Sequence, residues 1–177
     1  MKNFTKEVLF SKDAILGRVK GLAEDIRRDY YGKDLLLIGV LNGVFMFFSD
    51  LVKYLDMPVK VDFVRLASYG SGAKSSGDVR VLKGIEMSVT GRDVLVVEDI
   101  VDTGYTVDVL IKMIKAKNAN SIKVCALIDK AERRMVDVPI DYTGFAVEKG
   151  FVVGYGLDYD EQFRYFQEIY TLHETGV

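Results

Sequence analysis

Three carboxylates within five residues, followed by two hydroxyls and a glycine, mark Glu98-Asp99-Ile100-Val101-Asp102-Thr103-Gly104-Tyr105-Thr106 as the segment best equipped for chemistry. An apolar run, Asp93 to Val97, precedes it, and an amphipathic stretch, Val107 to Lys117, follows. The pattern predicts a buried strand, a turn from Glu98 to Thr106, and a helix. Free backbone N–H groups at a helix start cradle a phosphate, and the helix dipole adds to the attraction. Thr103 and Thr106 contribute hydroxyl donors, and Gly104 lets the backbone approach closely. Carboxylates repel a phosphate, so the acids must face something else. Ribose hydroxyls fit, held directly or through a bound magnesium ion. Taken singly, Asp99, Asp102 and Thr103 are explained as helix caps. The complete string at the end of a strand is much harder to explain that way.

Rival chemistries lack parts. One histidine, His173, and one cysteine, Cys125, cannot build a zinc site of the usual kind. Cys125 sits in the apolar run Val124 to Ile128 and reads as a small buried hydrophobe, and no internal disulfide is possible. No nucleophile-elbow motif accompanies His173. Gly70-Ser71-Gly72-Ala73-Lys74-Ser75 lacks the spacing of a Walker A loop. Asp102-Thr103-Gly104 is shared with aspartic proteases, but those are all-β proteins. With 24 basic against 26 acidic residues, the chain offers no support for a nucleic-acid partner. No run reaches the roughly 18 apolar residues of a membrane span, and Met1 to Lys12 lacks a signal-peptide core. The expectation is a cytoplasmic protein with no membrane partner.

The elements that must position these residues are legible. A chain of 177 residues, 49% apolar and 28% charged, suits a single domain over 1–177. Ser11 to Tyr30 carries Ile15, Val19, Leu22 and Ile26 at helical spacing, with Gly32 as the stop. Leu35 to Val40 is a continuous apolar run, the signature of a strand buried on both faces of a parallel sheet. The turn Leu41-Asn42-Gly43 leads to an apolar helix ending near Leu55. Val59 to Leu66 alternates as a strand, Ala67 to Gly77 has the composition of a mobile loop, and Val79 to Leu82 suits a return strand. Asp93 to Val97, Val107 to Lys117 and Ser121 to Ile128 form a βαβ unit, which requires parallel strands. Asp141 to Val153 reads as further strands. The fold class is therefore α/β: an open, mainly parallel twisted sheet flanked by helices, with ligands bound at the carboxyl ends of its strands.

With these motifs in place, the chain resembles the type I phosphoribosyltransferases, and nearly its full length resembles their hypoxanthine-guanine branch. The supporting pieces stand in family order: Leu41-Asn42-Gly43, Ser68-Tyr69, the Glu98 to Thr106 string, Asp129-Lys130, and Phe151-Val152-Val153-Gly154-Tyr155-Gly156-Leu157-Asp158-Tyr159 with Arg164 beyond. The resemblance implies a small hood built from terminal segments. It implies transfer of a phosphoribosyl group from phosphoribosyl pyrophosphate to hypoxanthine or guanine, a magnesium cofactor, and a homo-oligomer of two or four copies.

It also implies roles. Glu98 and Asp99 hold the ribose hydroxyls and their magnesium. Asp102 is the general base or acid facing nitrogen 7 of the purine. Thr103, Gly104, Tyr105 and Thr106 wrap the 5′-phosphate. Leu41, Asn42 and Gly43 form a pyrophosphate loop whose first peptide bond is cis, and Arg164 contacts pyrophosphate. Lys130 binds the 6-oxo group, Phe151 stacks on the purine, and the Val152 backbone bonds its edge. Asp158 holds a second magnesium, and Ser68 and Tyr69 close over the reaction. Alone, Phe151 reads as core, Lys130 as a solvated lysine and Tyr69 as a loop aromatic. Arg133-Arg134 reads as a solvated pair, although similar enzymes place a basic residue near pyrophosphate here. Asn42 stands where many relatives have lysine, and Tyr105 where some have a basic residue. A xanthine-preferring relative, an RNA-binding regulator on the same fold and a catalytically silent paralogue are the competing readings; Asp102, Lys130 and Asp158 argue against the last.

Overall fold

Residues 4–68 and 79–174 are described by the computed structural model. Their elements run β1 (Phe4–Phe10), α1 (Lys12–Tyr30), β2 (Leu35–Leu41), α2 (Phe45–Leu55), β3 (Lys60–Ser68), β4 (Val79–Lys83), β5 (Asp93–Val101), α3 (Tyr105–Lys115), β6 (Ser121–Lys130), a 3-10 turn (Ala131–Arg133), β7 (Tyr142–Val147), β8 (Phe151–Val153) and β9 (Ile169–Glu174). Ser11 caps α1, its hydroxyl accepting from the Ala14 N–H at 3.3 Å. The residues picked out by helical spacing, Ile15, Val19, Leu22 and Ile26, are the ones α1 buries.

The larger sheet has the order β4-β3-β2-β5-β6-β7, with β3 through β7 in that order parallel and β4 antiparallel to β3. Continuous apolar strands serve it because both faces are covered. Leu35 and Leu37 of β2, Leu95 and Val97 of β5, and Cys125 and Leu127 of β6 pack with α1 and α2. Their alternates Leu36 and Ile38, Val94 and Val96, and Val124 and Ala126 pack with α3. Sequence direction reverses between β2 and β5: β3 lies on one side, β6 and β7 on the other. That reversal opens a crevice at the carboxyl ends of the two central strands.

A second sheet, β1-β9-β8, is antiparallel and joins both ends of the described chain, Thr5 opposite His173 and Phe151 opposite Leu172. It is the hood. Two expectations shift. The turn expected at Glu98 begins later, because β5 continues to pair with β6 through Glu98–Ala126, Ile100–Ile128 and Val101–Asp129. The ladder outweighs the polar composition, and the acids ride on the strand end. The Asp141 to Val153 strands divide between the two sheets, with Gly150 at φ +100° supplying the turn. Among the described residues, no helix is long and apolar enough to cross a membrane.

Candidate active site

The crevice between β2 and β5 is built by close backbone approach. The Leu41–Asn42 peptide bond is cis, as the resemblance implied. A Cβ added to Gly43 would collide with Asp99 Oδ2, and one added to Gly156 would collide with the Gly43 carbonyl oxygen. The loop after β2, the acid at the end of β5 and the segment after β8 therefore meet at one point. Glycine is required where they touch.

The acids are in unequal environments. Glu98 is buried, and its Oε2 has no hydrogen-bond partner among the described residues. Burial, then the charge of Asp99, holds its carboxyl well above the usual range. Burial also pushes Asp99 up to about 6, opposed by the Ile100 N–H bond at 3.0 Å and the charge of Arg164. Two neighbouring carboxyls, one with an orphaned oxygen, form an oxygen-only donor set of the kind a hard divalent cation accepts. Among the described residues no group of three or more candidate ligands is preassembled, so a magnesium ion here would complete its shell with substrate and water oxygens. Asp102 points Oδ2 at Arg133 Nη1 from 3.5 Å, while its Oδ1 is buried without a partner among the described residues.

Gly104, at φ +88°, is the N-cap of α3 and has no side chain to cap it. Its Cβ would collide with the Val136 carbonyl. The N–H groups of Asp102, Thr103 and Gly104 donate to nothing among the described residues, so a row of donors opens the helix. Tyr105 and Thr106 follow, both half-buried.

On the far side, Lys130 ends β6. The residue is 7% exposed, and among the described residues the one acid paired with its ammonium is Glu132, at 3.6 Å. It is not a solvated lysine. Phe151 is 47% exposed, so it is not core either, and its ring meets Tyr159 edge-to-face at 5.3 Å. Val152 lies beside it on β8, the edge strand of the hood, which among the described residues pairs only with β9. Arg164 donates to the Gly156 carbonyl at 2.9 Å and to Asp158 and Glu161, each at 2.9 Å. Asp158 and Arg164 are thus paired with each other at the rim that Gly156 shares with Gly43. Ser68 is the last residue of β3; Tyr69 lies outside the described residues, and the closing role with it.

The solvated reading of Arg133-Arg134 needs correction for its second member. The Arg134 side chain is 18% exposed and donates to the Val101 and Asp102 carbonyls and to Asp129. The local pattern offers Asp129 as a partner but not the two backbone carbonyls, which lie about thirty residues away in the chain. The bond from Tyr155 to Asp50 at 2.7 Å, which ties the β8 motif to α2, is also invisible in the sequence.

A mainly parallel sheet whose reversal point carries acids and a row of open N–H donors, beside a second small sheet, is the architecture of a phosphoribosyl transferase domain. Residues 7–160 match the phosphoribosyl transferase domain, and the chain belongs to that family. It is 42% identical over 169 residues to the hypoxanthine-guanine phosphoribosyltransferase of Streptococcus thermophilus, covering 96% of this chain and 94% of that protein. The same identity holds over 174 residues with the protein of that name from Streptococcus agalactiae, covering 98% and 97%. The crystal structure of a hypoxanthine phosphoribosyltransferase from Staphylococcus aureus superposes with a TM-score of 0.90 at 38% identity, covering 94% of this chain and 91% of that one.

Proposed function

We propose that this chain is a purine-salvage enzyme that transfers the phosphoribosyl group of phosphoribosyl pyrophosphate to hypoxanthine and guanine, yielding IMP or GMP and pyrophosphate. The observation that carries this reading is Lys130, a largely buried lysine at the end of β6, the strand that pairs with the acid-bearing β5. A donor-only group in a desolvated place selects a base with an oxygen acceptor. One catalytic domain over 1–177 supplies every part.

A bond forms between the purine nitrogen and the anomeric carbon of the ribose, and the bond from that carbon to pyrophosphate breaks. Positive charge develops on the ribose ring and negative charge on the leaving group. The unpaired N–H groups of Asp102, Thr103 and Gly104, with the Thr103 and Thr106 hydroxyls and the Tyr105 backbone, hold the 5′-phosphate. Glu98 and Asp99 accept the ribose hydroxyls. Glu98 and Asp99, and separately Asp158, would hold magnesium, which would offset the negative charge of the substrate. Leu41, Asn42, Gly43 and Arg164 hold pyrophosphate; Arg164 exchanges its present carboxylate partners for the substrate. The base loses its proton to Asp102, whose buried, unpartnered Oδ1 is ready to accept one. Phe151 stacks on the purine face and the free edge of Val152 bonds its rim. Ser68 and Tyr69 close over the substrates and exclude water, which would otherwise hydrolyse the activated ribose.

The enzyme works in the cytoplasm as a dimer or tetramer; half-exposed Phe45 and the more exposed Tyr165 are apolar surface that assembly would cover. Light scattering after size-exclusion chromatography reads the copy number. Product formation from hypoxanthine, guanine, xanthine and adenine, each with phosphoribosyl pyrophosphate and magnesium, tests the substrate assignment. Hypoxanthine and guanine are expected to react, and activity is expected to vanish in excess chelator and return with magnesium. A preference for xanthine, or full activity in chelator, contradicts it.

A further inference from the structure

We infer that Arg134 is a positioning residue that sets the loop carrying Asp102 and the phosphate cradle; the inference rests on the roles proposed above for that loop. β5 and β6 pair as far as Val101–Asp129, and β5 then leaves the ladder. Arg134 sits at that fork. Its Nη2 donates to the Val101 carbonyl at 3.0 Å and to Asp129 Oδ1 at 2.6 Å, and its Nε donates to the Asp102 carbonyl at 2.9 Å. The next two residues continue the pattern, since the Met135 and Val136 N–H groups both donate to the Thr103 carbonyl at 3.0 Å. Three consecutive carbonyls, of residues 101, 102 and 103, are thereby drawn toward one segment.

The consequence follows from peptide geometry. In a trans peptide the C=O and the N–H of the next residue point in opposite directions. Fixing the carbonyls of 101, 102 and 103 aims the N–H groups of Asp102, Thr103 and Gly104 away from Arg134. These are the N–H groups left without acceptors among the described residues. Gly104 allows the approach, because any Cβ there would strike the Val136 carbonyl. Asp102 is held by its own carbonyl, so the direction of its carboxylate depends on the same clamp. Arg133, which faces Asp102 Oδ2 from 3.5 Å, is more exposed and among the described residues makes no hydrogen bond to the loop's carbonyls. The planar guanidinium fork reaches two carbonyls and a carboxylate at once; a lysine ammonium is a point charge and cannot reproduce that geometry. The segment begins at Lys130, so the clamp also fixes the spacing between the reader of the base and the acceptor of its proton.

The test compares Arg134→Lys, Arg134→Met, Asp102→Asn and the double variant Arg134→Met with Asp102→Asn, measuring kcat, the KM for phosphoribosyl pyrophosphate and the melting midpoint. Misplacement of a reacting group by about 1 Å costs on the order of 10²-fold. The expected result is a fall in kcat of roughly 10- to 100-fold in Arg134→Met with a raised KM for phosphoribosyl pyrophosphate, and partial recovery in Arg134→Lys. In the double variant, Arg134→Met is expected to lower kcat by less than it does alone, because the part of the clamp's effect that acts through Asp102 is already gone. Wild-type kcat and KM in Arg134→Met overturn the inference, and so do losses that multiply in the double variant. If Arg134→Met does not fold, Arg134→Lys decides: lowered kcat at a native melting midpoint supports the clamp, and wild-type kinetics overturn it. If Asp102→Asn alone turns over like wild type, the proposed role of Asp102 fails. The KM for phosphoribosyl pyrophosphate then decides for Arg134, raised in support of the clamp, unchanged against it.

Discussion

Asp102 and Gly43 show how little room the site leaves at the scale of single residues. Asp102 keeps one oxygen buried and, among the described residues, unpartnered, an arrangement that costs stability and suits a group that must accept a proton. Asp102→Asn is expected to keep the fold and lower kcat by about 10²- to 10⁴-fold with KM little changed. Steady-state kinetics check this, and wild-type turnover would remove Asp102 from the proton-transfer role. Gly43 lies against the Asp99 carboxylate so closely that an alanine methyl has no place. Gly43→Ala must displace either the loop or the acid. It is expected to destabilise by about 1–3 kcal/mol, as overpacking does, and to raise the KM for phosphoribosyl pyrophosphate. Thermal melting and kinetics on the same preparation read both. At this scale much was legible: the acids, hydroxyls and glycine of the 98–106 string announce their chemistry by type and spacing. Arg134 was not legible. Its identity is that of a surface residue, and only the fold reveals that its partners are carbonyls.

Among the elements, β3 and β4 are held to the following segment by one acid. Asp62 of β3 is 6% exposed and accepts from the N–H groups of Phe63 at 2.7 Å and of Glu86 and Met87 at 2.8 Å. Lys83 of β4 stands 3.4 Å away. Burial works against the charged form, but these donors and the Lys83 charge outweigh it and hold the carboxyl below its usual range. A carboxyl lowered in the folded state contributes stability that is complete above its unfolded value and is lost as pH falls through its folded value. Asp62→Ala leaves two segment N–H groups unpaired and is expected to cost about 1–3 kcal/mol at pH 7. The deficit against wild type should shrink as the pH is lowered through the acid range. Denaturant titrations at several pH values measure it, and a constant deficit would contradict the assignment. The sequence makes α1, β2 and β6 plain, since each buries a repeating set of apolar residues. It is silent on β1. Thr5 to Leu9 are exposed, so no amphipathic period forms, and pairing with β9 at the opposite end of the chain supplies the order.

For the molecule as a whole, the open parallel sheet is readable because β2, β5 and β6 send alternate apolar residues into two separate cores. What composition cannot convey is that β7 and β8, adjacent in the chain, belong to different sheets. That division puts Lys130 in the main sheet and Phe151 in the hood, and the function proposed above requires both to meet one base. The central claim is that this pocket selects 6-oxopurines through Lys130. A lysine ammonium only donates, and adenine would present its 6-amino donor to it in a desolvated place. A site built to bond one group rejects an analogue lacking it by about 10⁴- to 10⁵-fold. Stacking accepts any purine face, so Phe151→Leu should weaken all purines alike. The most direct measurement is kcat/KM for hypoxanthine and adenine in the wild-type enzyme and in Lys130→Ala. Negligible adenine turnover in the wild type, with most hypoxanthine turnover and most of the discrimination lost in Lys130→Ala, is the predicted result. Comparable use of adenine by the wild type, or a Lys130→Ala variant that keeps its full preference for hypoxanthine, would contradict the account.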